Sequence, residues 1–270
     1  MQPSGPGVHI TRPNEIGSYR LSQIKDKVMV PVIVNGAYGK MGSLACETLN
    51  QDARFELIGR LGREDNLAQA IQEMQPAVVV DLTNADSVYE NTRLIIEMGV
   101  HPVIGTSGLL TEQISELQNL CLQQNLGGII VPNFSISAVL MMSFAAKAAA
   151  YFTEVEIIEA HHQQKLDAPS GTAIKTAELI AANQNKPRNC LQTRELIAGA
   201  RGANHQKINI HSIRLPGILA RQEVLFGNKG ETLSIIDNSI SRECYMPGLL
   251  LSCEKVCSLD HLVYGLEHIL

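Results

Sequence analysis

The 270-residue chain has no excess of positive charge, no long apolar run and no framework of paired cysteines. Its formal net charge of −5 provides neither the basic stripe that tracks a nucleic-acid backbone nor a polybasic membrane signal. Apolar runs such as Ala77–Val80 fall far short of the roughly 20 residues that cross a bilayer as a helix. Met1 to Gly7 contain no apolar segment of the kind that directs secretion. The six cysteines (Cys46, Cys121, Cys190, Cys244, Cys253 and Cys257) are scattered, which suits a reducing compartment. The expectation is a cytoplasmic protein with neither nucleic acid nor membrane as a partner. Cys253, Cys257 and His261 are spaced by four and could share a helical face, but Ser258 and Asp260 read as a helix break and cap. Packing is the better reading, and no metal site is expected. Internal repeats and low-complexity tracts are absent too.

What is present is an ordinary globular composition, 45% hydrophobic and 18% charged, in a chain long enough for one enzyme of two domains. Residues Met1 to Lys27, rich in Gly, Pro, Ser and Asn, read as an arm outside the core. From Val28 the pattern alternates. Strands are expected over Val28–Asn35, Phe55–Arg60, Ala77–Asp81, Pro102–Gly105 and Gly128–Val131, with helices over Lys40–Asn50, Asn66–Met74, Asp86–Met98 and Thr111–Gln124. Such alternation indicates α/β structure, a Rossmann-like doubly wound parallel sheet. After Pro132 the character changes. A helix (Ser137–Phe152), a strand (Glu154–Ala160), a helix from about Thr172 to Ala182 and strands over Lys207–Arg214, Gln222–Gly227 and Glu231–Ser239 suggest a second, α+β domain with a mixed, largely open sheet. Asn183–Asn204 reads as an irregular polar excursion, and Pro247–Val256 and Asp260–Ile269 as helical. The expected division is 28–133 plus 247–270 for a dinucleotide-binding domain and 134–246 for substrate binding and oligomerisation.

The run Gly36-Ala37-Tyr38-Gly39-Lys40-Met41-Gly42 joins the first strand to the first helix. Glycines at this junction permit a tight turn and let a pyrophosphate approach the backbone, where the helix N-terminus offers N–H groups and a favourable dipole. No acid follows at the position that usually holds the adenosine ribose. Arg60-Leu-Gly-Arg63 stands there instead, ahead of Glu64 and Asp65. A guanidinium suits a ribose 2′-phosphate, so Arg63 favours NADPH, with NADH as the alternative. Gly105-Thr106-Ser107-Gly108 and Val131-Pro132-Asn133-Phe134-Ser135 sit at strand ends and could position a nicotinamide.

Chemistry concentrates in Glu159-Ala-His161-His162-Gln-Gln-Lys165-Leu-Asp167-Ala-Pro-Ser170-Gly171-Thr172. An imidazole can deliver the proton that accompanies hydride addition to an imine, and Lys165 can neutralise a carboxylate or donate a proton. Ser170, Gly171 and Thr172 offer amides and hydroxyls at a helix N-terminus, a second anion site. Together they describe a pocket for a small dicarboxylate. His161 and His162, adjacent on an extended segment, point opposite ways and do not suit zinc. Another Rossmann-type dehydrogenase would share the first domain but gives no reason for the His161–Thr172 segment; a non-catalytic NADPH sensor is a further alternative.

These loops, above all His-His-x-x-Lys-x-Asp-Ala-Pro-Ser-Gly-Thr, resemble the 4-hydroxy-tetrahydrodipicolinate reductase (dihydrodipicolinate reductase) family of diaminopimelate and lysine biosynthesis, in order from Val28 to the C-terminus. The resemblance implies an oxidoreductase with His161 as proton donor or acceptor and Lys165 as a second donor. It also implies dicarboxylate binding by His162, Gly171 and Thr172, and Arg242 as a substrate-side arginine. Gly36 to Met41, Arg63, Gly105 to Ser107 and Val131 to Phe134 match cofactor positions. A homotetramer built through the mixed sheet, and closure of the two domains, are implied as well. The chain departs from the family pattern at Gly62, where an acid is common, at Gln163 and Gln164, where more basic residues are common, and at Ala220-Arg221-Gln222, where Gly-x-His is usual.

Overall fold

A computed structural model describes residues 29–185 and 194–270. The expected N-terminal arm (residues 1–27) lies outside the described residues, as do residues 186–193 of the polar excursion. The chain runs β1 (Val30–Asn35), α1 (Lys40–Gln51), β2 (Phe55–Leu61), α2 (Leu67–Met74), β3 (Val78–Asp81), α3 (Val88–Glu97), β4 (His101–Ile104), α4 (Thr111–Gln124), β5 (Gly128–Ile130) and α5 (Ile136–Ala149). It continues with β6 (Glu154–His161), α6 (Gly171–Asn183), β7 (Ala203–His205), β8 (Ile208–Arg214), β9 (Ala220–Asn228) and β10 (Glu231–Ser239). A 3₁₀ turn (Arg242–Tyr245), α7 (Met246–Lys255) and β11 (Leu262–Tyr264) complete it.

The first sheet has the order β11-β5-β4-β3-β1-β2, and all its pairings are parallel. Its strands are apolar on both faces because helices cover both. Val32, Val34, Val78 and Val80 point into one core shared with α1 and α7. Ile33, Val79 and Ile104 point into the other, against α2, α3 and α4. The chain leaves β1 to one side for β2 and returns to the other side for β3. That reversal opens a crevice at the carboxyl ends of β1 and β3, where open α/β sheets take ligands.

The second sheet has the order β10-β9-β6-β8-β7. It is mixed, since β6 and β8 are parallel while the other neighbours are antiparallel. Helices α5 and α6 cover one face, burying Met141, Ala145, Ile157, Ala177, Ile180, Val224 and Phe226. The alternation of strand side chains turns Ile213, Leu225 and Ile236 to the opposite, exposed face.

Two expectations need correction. The segment 260–269 is not a helix: Leu262–Tyr264 pairs in parallel with Gly128–Ile130 as the edge strand of the first sheet, followed by a 3₁₀ turn. Burying Leu262 and Val263 against the sheet outweighs a local helical pattern too short to be decisive. Within the excursion expected over Asn183–Asn204, Ala203 and Asn204 belong to β7, which pairs with β8.

Candidate active site

The turn after β1 is held by two amides, Gly36 N–H and Ala37 N–H, which both donate to the Leu61 carbonyl at 3.0 and 2.9 Å. Gly36 has φ +83°, and a Cβ added there would lie 2.4 Å from the Leu82 carbonyl oxygen. One added at Gly42 would lie 2.0 Å from the Gly36 oxygen. Gly39 caps α1 without a side-chain bond, so no side chain takes the first amides of the helix. The adjoining cleft, about 710 Å³, is lined by Gly36, Tyr38, Gly39, Arg63, Asp65 and Asn84 among others. Its glycine cradle and open helix end fit a dinucleotide pyrophosphate. Arg63 is exposed, and Gly62 N–H donates to Asp65 at 2.7 Å, which fixes the turn that carries it.

Asp81 organises the crest behind this cleft. It is fully buried and accepts hydrogen bonds from Asn35, Asn91, Thr83 and Thr106 at 3.0, 2.9, 2.7 and 2.7 Å. The ends of β1, β3 and β4 are thus tied to one carboxylate. The Thr106 hydroxyl is committed to that network, while Met41, Gly105, Thr106 and Ser107 line a smaller groove nearby. Phe134 is buried; its ring would lie 2.5 Å from a Cβ at Gly105, so it supports the loop from behind. Val131 and Ala37 are buried as well, and Val131 N–H donates to the Ile104 carbonyl at 2.7 Å.

A second basin, about 620 Å³, joins the two halves of the site. Ser107, Pro132 and Asn133 reach it from the first sheet, and His161, Lys165, Ser170, Gly171 and Thr172 from the second. The His161 Nδ1 lies 2.6 Å from Glu159 Oε2. Burial lowers the His161 pKa; Glu159 opposes that, Lys165 and Arg214 reinforce it, and the net value is below that of a free imidazole. Lys165 donates to both oxygens of Asp167 at 2.9 and 2.8 Å.

The helix N-terminus at the floor of the basin differs in detail from its expected form. The Ser170 hydroxyl is buried and spent as the α6 cap, accepting from Ala173 N–H at 3.2 Å. Its amide donates to Glu159 Oε1 at 3.3 Å. Gly171 and Thr172 line the basin beside it. His162 does not line it, and its Nδ1 is buried without a hydrogen-bond partner. Arg242 does not line it either, but shares a groove with Lys40 and Ser43 at the start of α1. Sequence reading places Glu159 in the segment without a role and leaves Arg214 out of the site. Glu159 has no exposed surface, and Arg214 grips it with two bonds of 2.9 Å.

A glycine turn feeding a helix N-terminus, on a parallel sheet whose other loops meet an imidazole and a second helix N-terminus in one basin, is the arrangement of a dinucleotide-dependent oxidoreductase of the Rossmann class. Known proteins make the assignment specific. The family profile described as dihydrodipicolinate reductase, N-terminus, matches residues 30–134, and that for the C-terminus matches 137–270. The 4-hydroxy-tetrahydrodipicolinate reductase of Legionella pneumophila (strain Lens) is 64% identical over 239 residues, 88% of this chain and 98% of that protein. That of Coxiella burnetii (strain Dugway 5J108-111) is 48% identical, covering 89% and 99%. A dipicolinate-bound dihydrodipicolinate reductase from Paenisporosarcina sp. TG-14 superposes with a TM-score of 0.84 at 42% identity, over 90% of this chain and all of that one. The NAD complex of GenD2 from gentamicin A biosynthesis shares the fold alone, at 15% identity and TM-score 0.59. The chain belongs to the dihydrodipicolinate reductase family.

Proposed function

We infer that this chain reduces 4-hydroxy-tetrahydrodipicolinate to tetrahydrodipicolinate in the route to diaminopimelate and lysine, with NADPH favoured over NADH. The observation that carries the reading is the single basin bounded by both the cofactor-side loops, at Ser107, Pro132 and Asn133, and His161, Lys165, Gly171 and Thr172. When bound, the dinucleotide supplies a hydride. The chain's own residues do the rest. Gly36, Gly39 and the α1 N-terminus hold the pyrophosphate, and Gly105 to Ser107 and Val131 to Phe134 position the nicotinamide. The open end of α6 and Lys165 take the carboxylates, the substrate competing with Asp167 for the ammonium. His161 passes the balancing proton through the nitrogen not engaged by Glu159. His162 and Arg242 stand outside the basin, and we assign them to substrate only through closure of the two domains over it.

The test supplies freshly generated hydroxytetrahydrodipicolinate and follows NADPH oxidation. Turnover by the wild type is expected; NADPH binding without turnover favours the sensor alternative and overturns the reading.

For cofactor choice, Arg63 lies at the cleft without an ion pair among the described residues, and Asp65 already accepts the Gly62 amide. Arg63→Ala should weaken NADPH binding by roughly 10–150-fold, the loss of a charged hydrogen bond, and leave NADH affinity unchanged. Tighter binding of NADH than NADPH by the wild type, or an unaltered preference in the variant, contradicts this role. We also assign a homotetramer in the cytoplasm; the exposed Ile213, Leu225 and Ile236 support assembly through the uncovered sheet face, and sedimentation equilibrium at any mass other than that of four chains would refute the tetramer.

A further inference from the structure

We propose that the buried Glu159 and the partly buried Arg214 are a positioning pair for His161, fixing the proton on Nδ1 and leaving Nε2 as the nitrogen that serves the substrate. The proposal rests on the role given to His161 above. It starts from strand register. Residues two apart on a strand share a face, so Glu159 and His161 both project toward α6 from β6. The parallel pairing of β6 with β8 sets Arg214 opposite His161 and Ser212 opposite Glu159. From there the guanidinium reaches back to the carboxylate.

Both carboxylate oxygens are then fully engaged. Oε2 meets Arg214 Nη1 at 2.9 Å and His161 Nδ1 at 2.6 Å. Oε1 takes Arg214 Nη2 at 2.9 Å and Ser170 N–H at 3.3 Å. Arg214 also donates to the backbone carbonyls of Asp167 and Ile213 at 2.6 and 2.7 Å. One ion pair therefore clamps β8, the catalytic loop, the α6 N-terminus and the imidazole.

Chemistry fixes the tautomer. An ionised carboxylate only accepts, so the nitrogen facing it must carry the hydrogen. The neutral imidazole is then protonated at Nδ1, and Nε2 is the site that gains and gives up the catalytic proton. Arg214 has a second effect. Burial alone would push the Glu159 pKa up, but the bonds from Arg214, Ser212 and His161 outweigh it and hold the carboxyl below its ordinary value. The ion is thus retained where an unpaired carboxylate would be costly. Because its charge is already balanced by arginine, Glu159 orients His161 without locking it as an imidazolium.

Other charged groups face the same imidazole. Lys165 does so from the loop, Lys175, Glu178 and Glu267 line the same basin, and Arg221, Asp237 and Tyr245 share a small chamber of about 60 Å³ with it, from β9, β10 and the following turn. They are unaltered in the variants below, so differences among variants report on the pair.

The experiment uses full-length protein labelled with ¹⁵N-histidine, the His161 signals being assigned by their loss in His161→Gln. Wild type should show an Nδ1-protonated neutral ring. Glu159→Gln should mix the tautomers and move the His161 titration to lower pH, with kcat reduced roughly 10–100-fold, the scale of losing an outer partner of a functional histidine, and KM little changed. Arg214→Met should move the titration the opposite way, because the freed carboxylate then favours the imidazolium. A merely structural pair would lower thermal stability without moving either signature. An unchanged tautomer and titration in folded Glu159→Gln, or shifts of the same sign in both single variants, overturns the proposal. Should a single variant not fold, the Glu159→Gln/Arg214→Met double variant buries no lone charge and carries the test: mixed tautomers support the pair, and a wild-type tautomer refutes it. Absence of turnover by the wild type is a failure of the functional reading, whereas the NMR signatures stand without turnover.

Discussion

His161→Gln should lower kcat for the reduction by about 10²–10⁴-fold, the usual contribution of a positioned general acid, while NADPH binding keeps its wild-type strength. The asymmetry follows from placement. His161 lies on the second sheet, in the basin with Lys165 and Gly171, whereas the glycine turn and Arg63 line a separate cleft on the first. Gln fills much of the same space and can still meet Glu159, but it cannot exchange a proton near neutral pH. The pH dependence gives a second check. If the protonated ring is the donor, kcat/KM of the wild type should fall as pH rises through the His161 pKa. Burial holds that pKa below the ordinary imidazole value, so the descending limb should lie on the acid side of it, and it should vanish in His161→Gln. Turnover by the variant at the wild-type rate would mean that water or Lys165 delivers the proton instead.

What the sequence makes legible follows from locality. The glycine turn, the parallel strands and the Ser170 cap are written in contiguous residues, and each expected feature lies near its observed place. Ser170 shows both the reach and the limit of such reading. A serine before a helix announces an anion-friendly N-terminus, yet its hydroxyl oxygen accepts the Ala173 amide as the cap and its own amide is turned to Glu159, although Ser170 lines the basin together with Gly171 and Thr172. Arg214 was out of reach for a different reason. It is 55 residues from Glu159 in the chain, and only the parallel register of β6 and β8 brings them together. The β11 strand was hidden by brevity: three residues cannot display a period, and their strand character comes from the edge of β5 against which they lie. Arg242 is expected on the substrate side from family pattern, but it lines a groove with Lys40 at the start of α1 and not the basin, a placement that needs the fold.

Gly36→Ala should all but abolish dinucleotide binding, and a comparison among glycines shows why. The sequence presents Gly36, Gly39 and Gly42 as three equal members of one motif, but the structure ranks them. At Gly36 two penalties coincide. Its φ of +83° costs an L-residue roughly 1–2 kcal/mol, and the added methyl would stand 2.4 Å from a backbone carbonyl that cannot swing aside. The turn must open, taking with it the cradle proposed for the pyrophosphate. Gly42 has ordinary helical surroundings but would drive a methyl to 2.0 Å from the Gly36 oxygen, so Gly42→Ala should fail similarly. Gly39 has φ −73° and only one contact, at 3.4 Å; Gly39→Ala should fold normally. Gly230→Ala, with φ +87° and open space around it, isolates the cost of backbone strain alone. Calorimetric NADPH binding and thermal melting of the four variants should therefore separate. Gly36→Ala and Gly42→Ala should lose binding, while Gly230→Ala should lose about 1–2 kcal/mol of stability with binding intact. Any affinity lost in Gly39→Ala is then a direct measure of how closely the pyrophosphate approaches the helix end. Wild-type binding by Gly36→Ala would show that the cofactor does not rest on this turn, and the cleft beside Arg63 would need another explanation.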